Sequence, residues 1–185
     1  MSYLDDVAAQ LVIFEGRVGW MYLDTRGLVT VDVGVMLPNV GAALKLPFTF
    51  DGRSAGSDEI RRDYARVKGM TARRGPGYYV CHASPRISAA DGDVLLRARV
   101  AEMDVELHAG LPGYTAAPDA AKRGLLDMRY NLGETGLVEG YPHLCSDVEH
   151  GQFELAALAC HRIGPSQQRN DWTAEQFRLA AAEGA

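Results

Sequence analysis

The stretch that decides the fold begins at Phe14-Glu15-Gly16, passes through Tyr22-Leu23-Asp24 and Gly27-Leu28-Val29-Thr30, and ends at Val31-Asp32-Val33-Gly34-Val35. Its hydrophobic period changes at Gly16. Upstream, Leu4, Val7, Ala8, Leu11 and Val12 recur at helical spacing, and Ser2 with Asp5 three residues on is a capping-box-like start. Glu15 falls four residues beyond Leu11, which predicts a carboxylate on the apolar stripe, and Gly16 supplies the stop. Downstream the period is two from about Val18 to Val35, broken by the turn-like Asp24-Thr25-Arg26-Gly27, so a hairpin is expected. In its second strand Val29, Val31, Val33 and Val35 share one face while Thr30, Asp32 and Gly34 share the other. One side is expected to pack and the polar side to line a groove.

Working outward, residues 37–56 read as a loop or third short strand, Ser57 to about Lys68 as a helix, and 69–85 as irregular. Ser88 with Asp91 caps a long helix whose face is Leu96, Val100, Met103 and Leu107, suited to connecting two lobes. Pro118-Asp119 opens a helix with the stripe Ala121, Leu125, Met128 and Leu132, closed by Gly133, with a second stop at Gly136. Gln152 to His161 predicts a short helix. Thr173 with Gln176 predicts the cap of a last one, running through Phe177 into the alanine-rich end. Helix, small sheet, then helices is an α+β order with strands confined near the N-terminus.

The 185 residues, 47% of them hydrophobic, suffice for one core or a core split into two lobes, not two large independent domains. A net charge of −5 argues against a dedicated nucleic-acid-binding domain. Locally, Arg61, Arg62, Arg66, Lys68, Arg73 and Arg74 face a single acid, Asp63. The plain reading is a solvated helix face followed by a loop, and the alternative is a polyanion-binding surface. The acidic start Met1-Ser2-Tyr3-Leu4-Asp5-Asp6 is unlike a secretory signal, and no apolar run is long enough for a bilayer, so synthesis in the cytoplasm without membrane insertion is expected.

Three cysteines, Cys81, Cys145 and Cys160, form no C-x-x-C pair and are expected to be reduced, small core residues. The spacing of His143, Cys145, His150, Cys160 and His161 fits no common zinc pattern. Cys81-His82 are too close in sequence for a thiolate and its base, and no phosphate-binding glycine loop occurs.

The chemistry-bearing candidates are Glu15, Asp24 and Thr30. A carboxylate ending an apolar helix face is expected to be desolvated and to act as a general acid, whereas one on a hairpin in water stays ionised. Two carboxyls separated in that way serve glycosidic cleavage, with a strand hydroxyl holding the attacking water. The same positions also admit a structural reading, in which Glu15 makes a salt bridge and Asp24 an Asx-turn.

Glu15, Asp24 and Thr30 stand in the pattern E-x(8)-D-x(5)-T, followed by a valine-rich strand with Gly34. In this the sequence resembles the catalytic signature of the phage-type (T-even) lysozymes, the glycoside hydrolase family 24 muramidases. Leu126-Asp127-Met128-Arg129-Tyr130-Asn131-Leu132-Gly133-Glu134-Thr135-Gly136-Leu137 is similar to that family's central core helix and the turn after it, and Ser88 to Leu107 stands where the family has its interlobe helix. The resemblance implies a single lysozyme-like domain over residues 1–185. Its small N-terminal β-hairpin lobe, at about 15–85, would be joined by a long helix to a larger helical lobe of 1–14 and 86–185.

It also implies peptidoglycan hydrolysis at the β-1,4 bond between N-acetylmuramic acid and N-acetylglucosamine. Glu15 would protonate the leaving oxygen, Asp24 would be base or electrostatic partner, Thr30 would fix the water, and no metal or organic cofactor would be needed. Carboxyls about 6.5–9.5 Å apart would favour inversion and about 5–5.5 Å retention. The expected partner is the glycan strand, with an inhibitor or immunity protein as a further one, and a monomer is expected. Access to the periplasm or cell wall would come by holin release, tail delivery or injection. Where the family commonly has Gly-x-Gly-His after the threonine, this chain has Asp32-Val33-Gly34-Val35. Asp32 is therefore a candidate substrate-groove carboxylate, a substitute for Asp24, or, as the default, the partner of an arginine. The alternatives to a muramidase are a catalytically degenerate wall-binding module and a hydrolase of another N-acetylglucosamine polymer such as chitin.

Overall fold

The computed structural model describes residues 2–183, so Met1 of the acidic start and the last two residues of the alanine-rich end lie outside the described residues. The elements in order are α1 (Tyr3–Glu15), β1 (Val18–Leu23), β2 (Val29–Asp32), β3 (Val35–Met36), α2 (Val40–Ala43), β4 (Thr49–Phe50), β5 (Arg53–Ser54), α3 (Ser57–Lys68), α4 (Ala89–Gly110), α5 (Asp119–Gly140), α6 (Pro142–Glu149), α7 (Phe153–Ala159) and α8 (Gln167–Glu183). This is a mostly helical α+β arrangement with small antiparallel sheets near the N-terminus. The chain divides into two compact units, 15–96 and 2–14 with 97–183. The second boundary falls inside α4 rather than at about 85, because Arg17 of the first unit binds the start of that helix through the Ala89 carbonyl and Asp93.

In the unit 15–96, β1, β2 and β3 form an antiparallel sheet in that order, with Tyr22 opposite Thr30, Leu23 opposite Val29, and Val18 opposite Asp32. Four steps along β1, from Val18 to Tyr22, match two along β2, so a bulge strengthens the local twist. The second expected strand is shorter than its valine alternation suggests. Asp32 has a φ of 54° and Gly34 one of 81°, so the chain turns at Val33-Gly34 into β3. Both faces of β2 are covered, and Thr30 and Asp32 are buried along with Val29 and Val31. The expected polar groove face is therefore not open.

The core beneath the sheet is built from Met21, Leu23, Val29, Val31, Phe48, Ile60, Val67, Tyr79 and Ile87. Burial of these side chains is the main driving force for this unit. Residues 37–56 form the helical turn α2 and the two-stranded hairpin β4–β5, closed by Asp51-Gly52 with φ of 48° and 74°. Thr49 exchanges backbone hydrogen bonds with Arg86, and Ile87 donates to the Gly19 carbonyl, which holds the irregular 69–87 segment against the sheet. Cys81 is exposed and Cys160 buried, so only the latter is a core residue as expected.

In the other unit the Ser2–Asp5 capping contacts form as expected, with the Asp5 N–H donating to Ser2 Oγ at 3.3 Å. Helix α5 is interrupted at Gly133, whose φ of 77° and ψ of 174° are open only to glycine, and this is the predicted stop. The chain then continues helically through Gly136 to Gly140, so the second expected stop at Gly136 does not form, and α6, which the sequence did not predict, follows at Pro142. α8 starts at Gln167, six residues ahead of the expected cap. Thr173 is interior to that helix and fully buried, where its hydroxyl binds Asp127 at 2.8 Å. Asp127 also takes Arg162 at 2.6 Å and Arg169 at 2.8 Å, so one buried carboxylate ties α5 to α8 and to the segment before it.

Candidate functional site

All four candidate residues belong to the unit 15–96. Glu15 is the last residue of α1 and is exposed. The expected desolvated acid is therefore absent from the free protein: helical spacing from Leu11 does not bury a residue in the final turn, where the chain is already turning away at Gly16.

Asp24 opens the β1–β2 turn. Its Oδ1 accepts the backbone N–H groups of Arg26 at 2.9 Å and Leu28 at 2.8 Å, while its own N–H and carbonyl bond Leu28 and Gly27. The Asx-turn reading is thus realised, and one carboxylate oxygen is committed to holding the hairpin. Oδ2 has Arg26 Nε at 3.8 Å, and a quarter of the side chain is exposed.

Thr30 is buried, and its hydroxyl donates to the Leu28 carbonyl at 3.0 Å. Placed there, it does not present a hydroxyl to solvent, which corrects the expectation that it holds a water on an open face. Its cross-strand partner is Tyr22. Directly opposed residues lie on one side of a sheet, so Tyr22 shares that side with Thr30.

Asp32 is 2% exposed and presents nothing to a substrate, which removes it as a groove carboxylate. It takes its default role instead. Arg17 Nη1 lies 3.0 Å from Asp32 Oδ1, as an ion pair without hydrogen-bond alignment, because the same nitrogen donates to the Ala89 carbonyl at 2.8 Å. A Cβ at Gly92 would overlap both the guanidinium and the carboxylate, so this glycine makes the room for the pair. Burial pushes the Asp32 carboxyl above its ordinary range, outweighing the Val33 N–H and the Arg17 charge.

What joins these groups is Tyr22. Its hydroxyl is pushed up to about 12, first by burial and then by the negative charges of Glu15, Asp24 and Asp32. The phenol stays protonated and able to donate a hydrogen bond at neutral pH. Tyr22 itself was not among the predicted site residues. The signal available was its place in the period-two run, where it stands two residues before Asp24 on β1.

Beside this cluster lies an open groove of about 550 Å³ lined by Tyr22, Asp24, Arg73, Arg74 and Pro76, among others. The opposite wall is the 71–78 loop, whose backbone is fixed by the fully buried Tyr79. Its hydroxyl donates to the Thr71 carbonyl at 2.9 Å and accepts the Arg74 N–H at 3.4 Å. Trp20 Nε1 adds a bond to the Pro76 carbonyl at 2.9 Å.

Among the described residues no group of three or more His, Cys, Asp or Glu side chains is arranged to hold a metal ion, and no helix is long and apolar enough to cross a membrane. Compared with known proteins, the sequence matches no family model, and no curated protein matches it significantly.

Proposed function

We propose that the protein is a lysozyme-like peptidoglycan hydrolase that cleaves the β-1,4 bond between N-acetylmuramic acid and N-acetylglucosamine. The observation that carries the reading is the open groove of about 550 Å³ that brings Asp24 and Tyr22 on the hairpin to face Arg73 and Arg74 on the loop. The E-x(8)-D-x(5)-T spacing supports it, because it places an acid at a helix end and a second acid on the following hairpin.

In this reading Glu15 gives its proton to the glycosidic oxygen as the bond to the anomeric carbon breaks. Glu15 is exposed in the free protein, and a bound strand supplies the cover that a general acid needs. Asp24 Oδ2, the oxygen outside the turn, takes a proton from the attacking water or stabilises the developing positive charge. With the Thr30 hydroxyl committed to the Leu28 carbonyl, Tyr22, which lines the groove, takes over the orienting of that water in this reading. One water is consumed and a new reducing end forms. No metal or organic cofactor enters this scheme. The protein would reach the wall by holin release, tail delivery or injection, act there as a monomer, and be open to control by an inhibitor or immunity protein.

A second reading has a specific observation behind it. Asp24 is built into its turn and Glu15 is exposed, an arrangement equally suited to a module that binds glycan without cutting it. Mass spectrometry of material released from purified peptidoglycan separates the readings. Fragments with N-acetylmuramic acid at the new reducing end support the muramidase. Co-sedimentation without release supports the binding module, and release from chitin but not peptidoglycan redirects the substrate assignment.

A further inference from the structure

The Arg61–Arg74 cluster does not act as one surface. Arg66 is drawn inward to Asp63 at 2.6 Å and to the Tyr79 carbonyl at 2.6 Å, while Arg61 and Arg62 are exposed on α3. Arg73 and Arg74 are different, since both line the groove that contains Asp24 and Tyr22.

Their placement is built. Arg73 has a φ of 61°, in the left-handed region that side-chain-bearing residues avoid, and it is held there by a loop pinned on either side through Tyr79. The Arg74 guanidinium lies over the Tyr78 ring, 5.9 Å from its centre. Among the described residues neither Arg73 nor Arg74 is in a salt bridge with a carboxylate. The groove thus offers one carboxylate on the hairpin wall and two guanidiniums on the loop wall. A neutral N-acetylglucosamine polymer has no group to satisfy them. A muramyl unit does, because its lactyl ether carries a carboxylate, or an attached peptide that carries others.

We infer that Arg73 and Arg74 bind a carboxylate on the muramyl side chain and so make the groove selective for acidic over neutral amino-sugar polymers. The inference rests on the groove beside Asp24 being the glycan site of the proposed hydrolase. Guanidinium–carboxylate hydrogen bonds are charge-assisted and planar, which suits arginine at both positions.

The test is calorimetric binding to the Glu15→Gln protein, which lacks the proton donor, at low salt. The ligands are a tetrasaccharide of alternating N-acetylglucosamine and N-acetylmuramic acid with free lactyl groups, the same tetrasaccharide carrying stem peptides, and tetra-N-acetylglucosamine. Acidic ligands are expected to bind about tenfold more tightly than the neutral one. The preference is expected to shrink with added salt, to disappear in Arg73→Gln/Arg74→Gln, and to be reduced but kept in Arg73→Lys/Arg74→Lys, which retains the charge without the planar fork. Loss on the free-lactyl ligand assigns the lactyl carboxylate, and loss confined to the peptide-bearing ligand assigns the stem.

A preference that persists in the double glutamine variant, or its absence in the starting protein, overturns the inference. Failure to bind any of the three overturns it together with the glycan site. Turnover by the unmodified protein is scored separately on whole peptidoglycan. Arginine-dependent preference without turnover would sink the hydrolase and spare this inference, and turnover with an arginine-independent preference would do the reverse.

Discussion

Arg17 and Asp32 form an ion pair at 3.0 Å in which the carboxylate is 1% and the guanidinium 20% exposed, in a space that Gly92 leaves open. Arg17→Ala would strand a buried charge, and a loss of about 3 kcal/mol is expected. Gly92→Ala, which drives a methyl group into the pair, is expected to cost about 2 kcal/mol. Chemical denaturation measures both. Stabilities within about 0.5 kcal/mol of the unmodified protein would contradict the pair's role.

The pH dependence of stability follows from two opposite shifts. Asp32 is raised in the folded protein, chiefly by burial, so the native state holds the extra proton between the unfolded and folded values. Its contribution therefore falls as pH climbs through that window, from about 3.9 upward. Glu59 is the reverse. Held down to about 2, first by its hydrogen bonds with Arg53 and then by the Gly56 N–H, it contributes above its unfolded value, and that contribution is lost as pH falls toward 2. Over the range from about pH 3 to about pH 6, Asp32→Asn should thus gain on the unmodified protein as pH rises, whereas Glu59→Gln should fall behind it. Denaturation free energies measured across that interval give both slopes.

Asp24 joins two roles that separate by substitution. Asp24→Asn keeps an oxygen for the Arg26 and Leu28 N–H groups and should stay within about 0.5 kcal/mol in stability while losing glycan cleavage. Asp24→Ala loses the turn bonds as well and should cost about 1 kcal/mol or more. Cleavage by a folded Asp24→Asn protein at the unmodified rate would show that the residue is only a turn former.

Asp127 holds Arg162, whose side chain is fully buried, and Arg169, which is 6% exposed. Asp127→Asn removes the carboxylate charge shared by two buried guanidiniums and should cost about 3–5 kcal/mol. Thr173→Val removes one neutral member of the cluster and should cost about 1–2 kcal/mol. Thermal and denaturant unfolding check the ranking, which is the informative quantity.

Features fixed by short-range chemistry were legible in the sequence. The Ser2–Asp5 and Ser88–Asp91 caps, the hairpin turn at Asp24, the helix Ser57–Lys68 and the break at Gly133 all depend on residues within four positions of one another. What periodicity could not reveal was burial decided by distant chain. Valine alternation carries β2 past Asp32, but Arg17 and Gly92 capture that aspartate and the strand ends there. Thr30 reads as polar and outward, yet both faces of its strand are covered. Glu15 sits on an apolar stripe by spacing and is exposed because the stripe runs out at the helix end. Asp51-Gly52 carried a hairpin signal that the surrounding proline and glycine obscured. The groove wall at Arg73 and Arg74 depends on Tyr79 reaching back to Thr71, a contact no linear pattern encodes.

The central claim, that Glu15 donates the proton in glycosidic cleavage, is tested most directly by initial rates of reducing-end release from purified peptidoglycan, for the unmodified protein and Glu15→Gln side by side. Unfolding curves recorded for both proteins ensure that the rates compare folded chains. The account predicts measurable release by the unmodified protein and a rate at least about a hundredfold lower for Glu15→Gln. Equal rates for the two proteins, or no release by either, would contradict it.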